Sequence, residues 1–158
     1  MAQRFELETQ RKREWCWASV SAGVHGYFSG HAGLTQCEVA GRLLGKDCCK
    51  DPDACDSTQR LEAAFEAIGT KVQVYPSRLD FQHLKLEIDA GRPVCVRIGW
   101  FDGGGHFVVL YGYRESKQGD RQVLVSDPLF PDSIVDYEEF VSAYQGAGHW
   151  AGTVLLQG

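Results

Sequence analysis

From Gly91 onward the sequence is written in short apolar runs rich in β-branched and aromatic residues, and before Gly91 it is not. PVCVRIGW, HFVVLYGYRE, RQVLVSD and HWAGTVLLQ each read as a strand, bounded by glycine, proline or aspartate. Tyr137-Glu138-Glu139-Phe140-Val141 reads as one helical turn between the last two runs. Helical patterns dominate the first half. Helices followed by strands, rather than alternating with them, predict an α+β fold with an antiparallel sheet.

The helical half carries its own punctuation. Residues 15–28, WCWASVSAGVHGYF, place small and apolar residues on several faces, which suits a buried helix closed by Gly30 and Gly33. Thr35 with Glu38 three residues later predicts a capping box, opening a helix that runs to Gly45. Ser57 or Thr58 is expected to cap a third helix, with Leu61, Ala64, Phe65 and Ile68 on one face and Gly69 as its stop. KVQVY reads as a short strand. Ser77 is expected to open a fourth helix, with Leu79, Leu84 and Ile88 turned inward. Residues 3–9 alternate around Phe5 and Leu7 and suggest a short edge strand.

A chain of 158 residues, 44% hydrophobic and 23% charged, fits a single domain with a real core. Its parts are a helical region over about 10–90 and a sheet region over about 91–158. A net charge of −5 argues against nucleic acid or an anionic membrane as partner. Arg11-Lys12-Arg13, the one basic cluster, reads as a solvated turn. No apolar stretch is long enough to span a membrane, and the N-terminus lacks the apolar centre of a signal peptide. That leaves the cytosol, export without a cleaved signal, or a domain of a larger secreted toxin. A monomer without cofactor or metal is expected.

A nucleophilic cysteine needs a thiolate, a base beside it, an orienter for that base and donors for the oxyanion. Cys16 stands at the predicted start of the first long helix, where unpaired N–H groups favour a thiolate. Gln10, six residues earlier, can fold back to donate to an oxyanion alongside the Cys16 N–H. Of the five histidines, His106 is singled out because it follows Gly103-Gly104-Gly105 and opens a strand. The glycines permit close approach and the strand fixes the ring. His25, His31 and His83 read as structural or solvated, and His149 as a minor candidate. If HFVVLYGY and RQVLVS pair as a hairpin, Asp127 returns beside His106 and can hold its tautomer.

The order Gln10, Cys16-Trp17, His106, Asp127 resembles the papain-like cysteine peptidases of clan CA. The strings WCWAS and GGGHFVVLYGY, the later Asp127-Pro128 pair and the cysteine-rich segment after Thr35 are similar to short bacterial members, including type III secreted effector proteases of plant pathogens. The resemblance implies a helical part carrying the cysteine, a sheet part carrying the histidine, and a cleft between them. It implies a cysteine peptidase acting on protein or peptide through a Cys-His-Asp triad and an acyl-enzyme. Trp17, Gly104, Gly105 and Trp100 are the candidate substrate-contacting residues; Trp100, ending its strand before the His106 loop, reads either as floor of the cleft or as an ordinary core or rim aromatic. The sequence departs from the larger lysosomal relatives in having Arg13-Glu14-Trp15 ahead of the cysteine and aspartate as third member. An amidase, deamidase or transpeptidase could use the same triad, and a non-catalytic interaction module could use the same fold.

The remaining cysteines divide in two. Cys95 sits in an apolar strand and is expected to be buried and inert. Cys37, Cys48, Cys49 and Cys55 do not have the spacing of paired zinc knuckles. Neighbours Cys48 and Cys49 resist bonding each other, so two disulfides stapling the loop 46–56 to the helix at Cys37 are expected in an oxidising environment, and four thiols in a reducing cytosol.

Overall fold

The computed structural model of the chain describes residues 5–30 and 33–157. His31 and the first two positions of the predicted edge strand lie outside them. Residues 5–10 form no strand. They run as an extended tether along the first helix, α1 (Cys16–Ser29), with Phe5 buried between Tyr27 and Tyr111. Their polar groups are claimed by side chains instead of a sheet. Ser19 Oγ donates to the Glu8 carbonyl, and the buried Gln36 takes the Arg11 N–H while donating to the Thr9 carbonyl.

α2 (Gln36–Leu44) has the capping box that its sequence predicts, with Thr35 and Glu38 each satisfying the other's backbone N–H, and Gly45 closes it in the left-handed region. A short 3-10 helix, Pro52–Cys55, follows. α3 (Leu61–Ala67) begins later than expected, with Arg60 at the cap and no side-chain bond there. Ser57 and Thr58 are engaged elsewhere: the Ser57 carbonyl accepts from Trp17 Nε1, and Thr58 Oγ1 donates to Glu14. α4 (Phe81–Asp89) is likewise capped by Asp80 rather than Ser77, whose carbonyl accepts from Thr153.

The strands are β1 (Val72–Tyr75), β2 (Val94–Trp100), β3 (Gly105–Glu115), β4 (Arg121–Ser126), β5 (Ser133–Asp136) and β6 (Gly148–Leu156), with α5 (Tyr137–Ala143) before the last. β5 escaped the sequence reading because its apolar pair, Ile134-Val135, is hidden among prolines and aspartates. The sheet is antiparallel throughout, in the order β1-β6-β2-β3-β4-β5. β1 therefore pairs with the last strand rather than with its neighbours in sequence.

Alternation along β2 and β3 feeds two cores. Cys95 and Val109 point to α1, α2 and α3, in a cluster with Trp15, Trp17, Leu61 and Phe65. Val96, Ile98, Val108 and Leu110 point to the opposite face, against Leu79, Phe81 and Leu84 of the α4 region and Tyr137, Phe140 and Tyr144 of the α5 region. The result is a three-layer α+β fold, as in the papain-like class. The sheet lies between α1–α3 and the pair α4–α5. Among the described residues, no helix is long and apolar enough to cross a membrane.

Two disulfides form, of which one staples the loop to the helix at Cys37. Cys37–Cys49 ties α2 to the following loop, and Cys48–Cys55 closes that loop on itself.

Candidate active site

Cys16 is the first residue of α1. Trp15 occupies the cap without a side-chain bond, so no capping group competes for the first-turn N–H donors. Tryptophans on either side fix this helix start. Trp15 Nε1 donates to the Cys55 carbonyl at 2.9 Å and Trp17 Nε1 to the Ser57 carbonyl at 2.8 Å. The Cys55 carbonyl ends the disulfide-closed loop and Ser57 lies two residues beyond it; Asp56 between them takes the Glu14 N–H, and Asp53 within the loop pairs with Lys12. The loop thereby braces the segment that carries the free thiol.

His106 enters from the start of β3. Gly103 and Gly104, both at positive φ, make the tight turn out of β2, closed by the Trp100 N–H on the Gly104 carbonyl. The ring is buried, and Nε2 donates to Asp127 Oδ1 at 2.8 Å. Asp127 follows β4, which pairs with β3 as the hairpin reading required. The other ring nitrogen is left for Cys16, whose side chain lies close enough to favour the protonated ring. Burial disfavours the charged ring. The hydrogen bond and charge of Asp127, with the nearby Cys16 side chain, outweigh it, and the His106 pKa rises from 6.5 to about 9.

Asp127 is itself saturated. Oδ1 also accepts from the Leu129 N–H at 2.8 Å and the Phe130 N–H at 3.3 Å, and Oδ2 accepts from Tyr144 Oη at 2.6 Å. Tyr144 is fully buried. Burial first, then the charge of Asp127, pushes its phenol pKa up, so it stays a donor. Sequence reasoning missed Tyr144, because nothing local marks a tyrosine after a short helix as a partner of this carboxylate.

Gln10 is held close to the same elements. Its N–H bonds the Pro128 carbonyl at 2.9 Å, joining the segment before Cys16 to the turn after Asp127. Its side-chain amide hydrogens go to the Lys12 carbonyl at 3.0 Å and the Arg13 carbonyl at 2.6 Å, while Oε1 is buried without a partner. Both amide hydrogens are engaged in this conformation.

Cys16 opens onto a cavity of about 760 Å³ between α1–α3 and the sheet. Trp17 and Gly105 line it, along with Glu14, Arg97, Phe107 and Ala151. Trp100 does not. Even-numbered residues of β2 face the second core, so Trp100 turns to the His106 side and stacks on its ring, with centroids 5.6 Å apart and planes 20° apart. Of its two readings, the core or rim aromatic is the one it takes, packed over the imidazole rather than flooring the cleft. His149 stacks on the exposed Phe101 and His83 lies against Tyr75. Cys95 is buried, which drives its thiol pKa up to about 12. Among the described residues, no group of acidic, histidine or cysteine side chains has the arrangement to hold a metal ion.

Comparison with known proteins agrees with the resemblance seen in the sequence. Residues 2–145 match the family model described as papain-like cysteine protease AvrRpt2. No curated protein matches the chain.

Proposed function

The chain belongs to the family of the papain-like cysteine protease AvrRpt2, and we propose that its peptidase chemistry runs through Cys16, His106 and Asp127. It is a cysteine peptidase, and its substrates are proteins or peptides. The observation that carries the residue assignment is one buried imidazole with Asp127 on Nε2 and the Cys16 side chain, free at the start of α1, near enough to favour its charged form.

In the proposed cycle, Cys16 Sγ reacts as the thiolate beside protonated His106. It attacks the scissile carbonyl carbon, and the C=O electron pair moves onto oxygen. The uncapped N–H groups at the start of α1 stabilise that oxyanion. Gln10 adds a donor once one of its amide hydrogens leaves the Lys12 or Arg13 carbonyl. Collapse breaks the C–N bond, the leaving amine takes the His106 proton, and a thioester remains on Cys16. Water then attacks the thioester and gives a proton to His106. A second collapse releases the acid and restores the thiolate. Asp127, fixed by Tyr144 and two backbone N–H groups, holds the ring in the required tautomer throughout.

Incubating a denatured proteome with the enzyme and with Cys16→Ala, followed by mass spectrometry, tests this reading. New N-termini made only by the wild type are expected. Deamidated or acyl-transferred products without chain cleavage would instead indicate that the triad serves amide chemistry on side chains.

A further inference from the structure

The cavity floor carries a charge that the chemistry above does not use. On the face of β2 that looks toward α1–α3, Cys95 is sealed in the core, and Arg97, two residues on, emerges into the cavity. Its flanks are bare. A Cβ added to Gly105 would sit 3.2–3.4 Å from Nη2, Nε and Cζ of Arg97, so the guanidinium lies along the backbone immediately before His106. On the other side Arg97 pairs with Gly152 of β6, and the register then skips Ala151 before Ile98 meets Trp150. This bulge falls where the floor is built, a common device for aiming a side chain beside a site.

The charges around Arg97 leave it without a partner. Arg60 and Glu62 on the cavity wall lie 3.8 Å from each other, and the Glu14 carboxylate accepts from Thr58. Among the described residues Arg97 makes no ion pair and no side-chain hydrogen bond, although the chain has a net charge of −5. A guanidinium offers five N–H donors in a planar fork that fits a carboxylate two bonds at a time. Phe107, Ala151, Val74 and Pro76 line the same cavity, and their apolar surface strengthens such a pair by displacing water.

We propose that Arg97 is a specificity residue, binding the side-chain carboxylate of an Asp or Glu close to the scissile bond of the substrate. This rests on Cys16 being the nucleophile, since the two residues share one cavity.

A proteome-derived peptide library, digested by wild type, Arg97→Gln, Arg97→Glu, Arg97→Lys and Cys16→Ala, tests it by mass-spectrometric profiling of four residues on each side of the cut. Expected is an enrichment of Asp or Glu at one position, with acidic over matched amide peptides favoured about tenfold or more, the size of a charged hydrogen-bonded pair. Arg97→Gln should bring that ratio near one. Arg97→Glu should reverse it toward Lys and Arg, and Arg97→Lys should keep part of it. Cleavage by the wild type with no acidic enrichment at any position would overturn the inference and leave the Cys16 reading intact. So would an enrichment that survives in both Arg97→Gln and Arg97→Glu, or one confined to a free terminal carboxylate. No cleavage by the wild type, or cleavage persisting in Cys16→Ala, would overturn the nucleophile assignment, and the inference with it. A variant that fails to fold leaves the wild-type profile and the other two variants to decide.

Discussion

Replacing Asp127 by Asn isolates the charge that holds His106 protonated. The amide oxygen can still accept from His106 Nε2 and from the Leu129 and Phe130 N–H groups, so ring orientation and tautomer are kept. The negative charge is lost, and the Tyr144 contact must reverse, since the amide NH2 at the Oδ2 position can only donate to Tyr144 Oη. In the wild type the His106 pKa stands at about 9 instead of 6.5, despite burial. That difference amounts to about 3 kcal/mol favouring the imidazolium. Asp127 and Cys16 share it, with the Asp127 hydrogen bond the largest favourable contribution. Assigning about half of it to the aspartate charge gives roughly 1.5 kcal/mol, or about one pH unit on the titration of the pair. The assay is the rate of Cys16 alkylation by iodoacetamide against pH, with the His106 imidazole followed by NMR. Asp127→Asn should lower the ionisation assigned to His106 by about one pH unit. Stability gives an independent reading. A folded pKa above the ordinary value stabilises fully below pH 6.5 and ceases to do so as the pH rises through about 9. The wild-type Tm should therefore fall across that window, and the variant should show a smaller fall, completed at lower pH. Superimposable alkylation profiles, or a wild-type Tm that rises across the window, would refute the reasoning.

Three further perturbations follow from the same geometry. Tyr144→Phe leaves Asp127 Oδ2 buried without its donor and should cost about 1.5–3 kcal/mol in urea unfolding. Its kcat should fall less than that of Asp127→Ala, because the three donors to Oδ1 remain. Gly148→Ala places a Cβ 2.6 Å from Trp100 Cε3, 2.7 Å from Ile98 Cγ2 and 3.0 Å from the Gly99 carbonyl oxygen, so β2 and Trp100 must shift. It should cost about 1–3 kcal/mol by overpacking, and the loosened Trp100–His106 stack should lower kcat more than it raises KM. Replacing Cys48 and Cys55 together by Ser should cost about 2–3 kcal/mol on the loop-entropy model. Because the Cys55 carbonyl holds Trp15, peptidase activity should fall at temperatures where the protein is still folded.

What could be read from the sequence was local. The Thr35–Glu38 box and the Gly45 stop lie within one or two helical turns, and the helix appears between them. Cys16 at a helix start and His106 behind a glycine turn are likewise statements about adjacent residues. So is Asp127 at the end of a hairpin partner. Period-2 runs identified β2, β3, β4 and β6 for the same reason. Where a local rule competed with a distant partner, the distant partner prevailed. Ser57, Thr58 and Ser77 are good caps in isolation, but their groups serve α1, Glu14 ahead of it, and β6. Spacing suggested that Cys48 and Cys49 avoid each other, yet only the packed loop selects Cys37–Cys49 and Cys48–Cys55. Tertiary structure alone placed β1 beside β6, set Tyr144 on Asp127 and occupied the Gln10 amide hydrogens. It also sent Trp100 over His106 while leaving Arg97 open to the cleft. The physical reason is range. Capping and periodicity act through neighbours along the chain. The choice of partner for a buried polar group depends on which segments the cores bring together, and that is decided by packing across the whole chain.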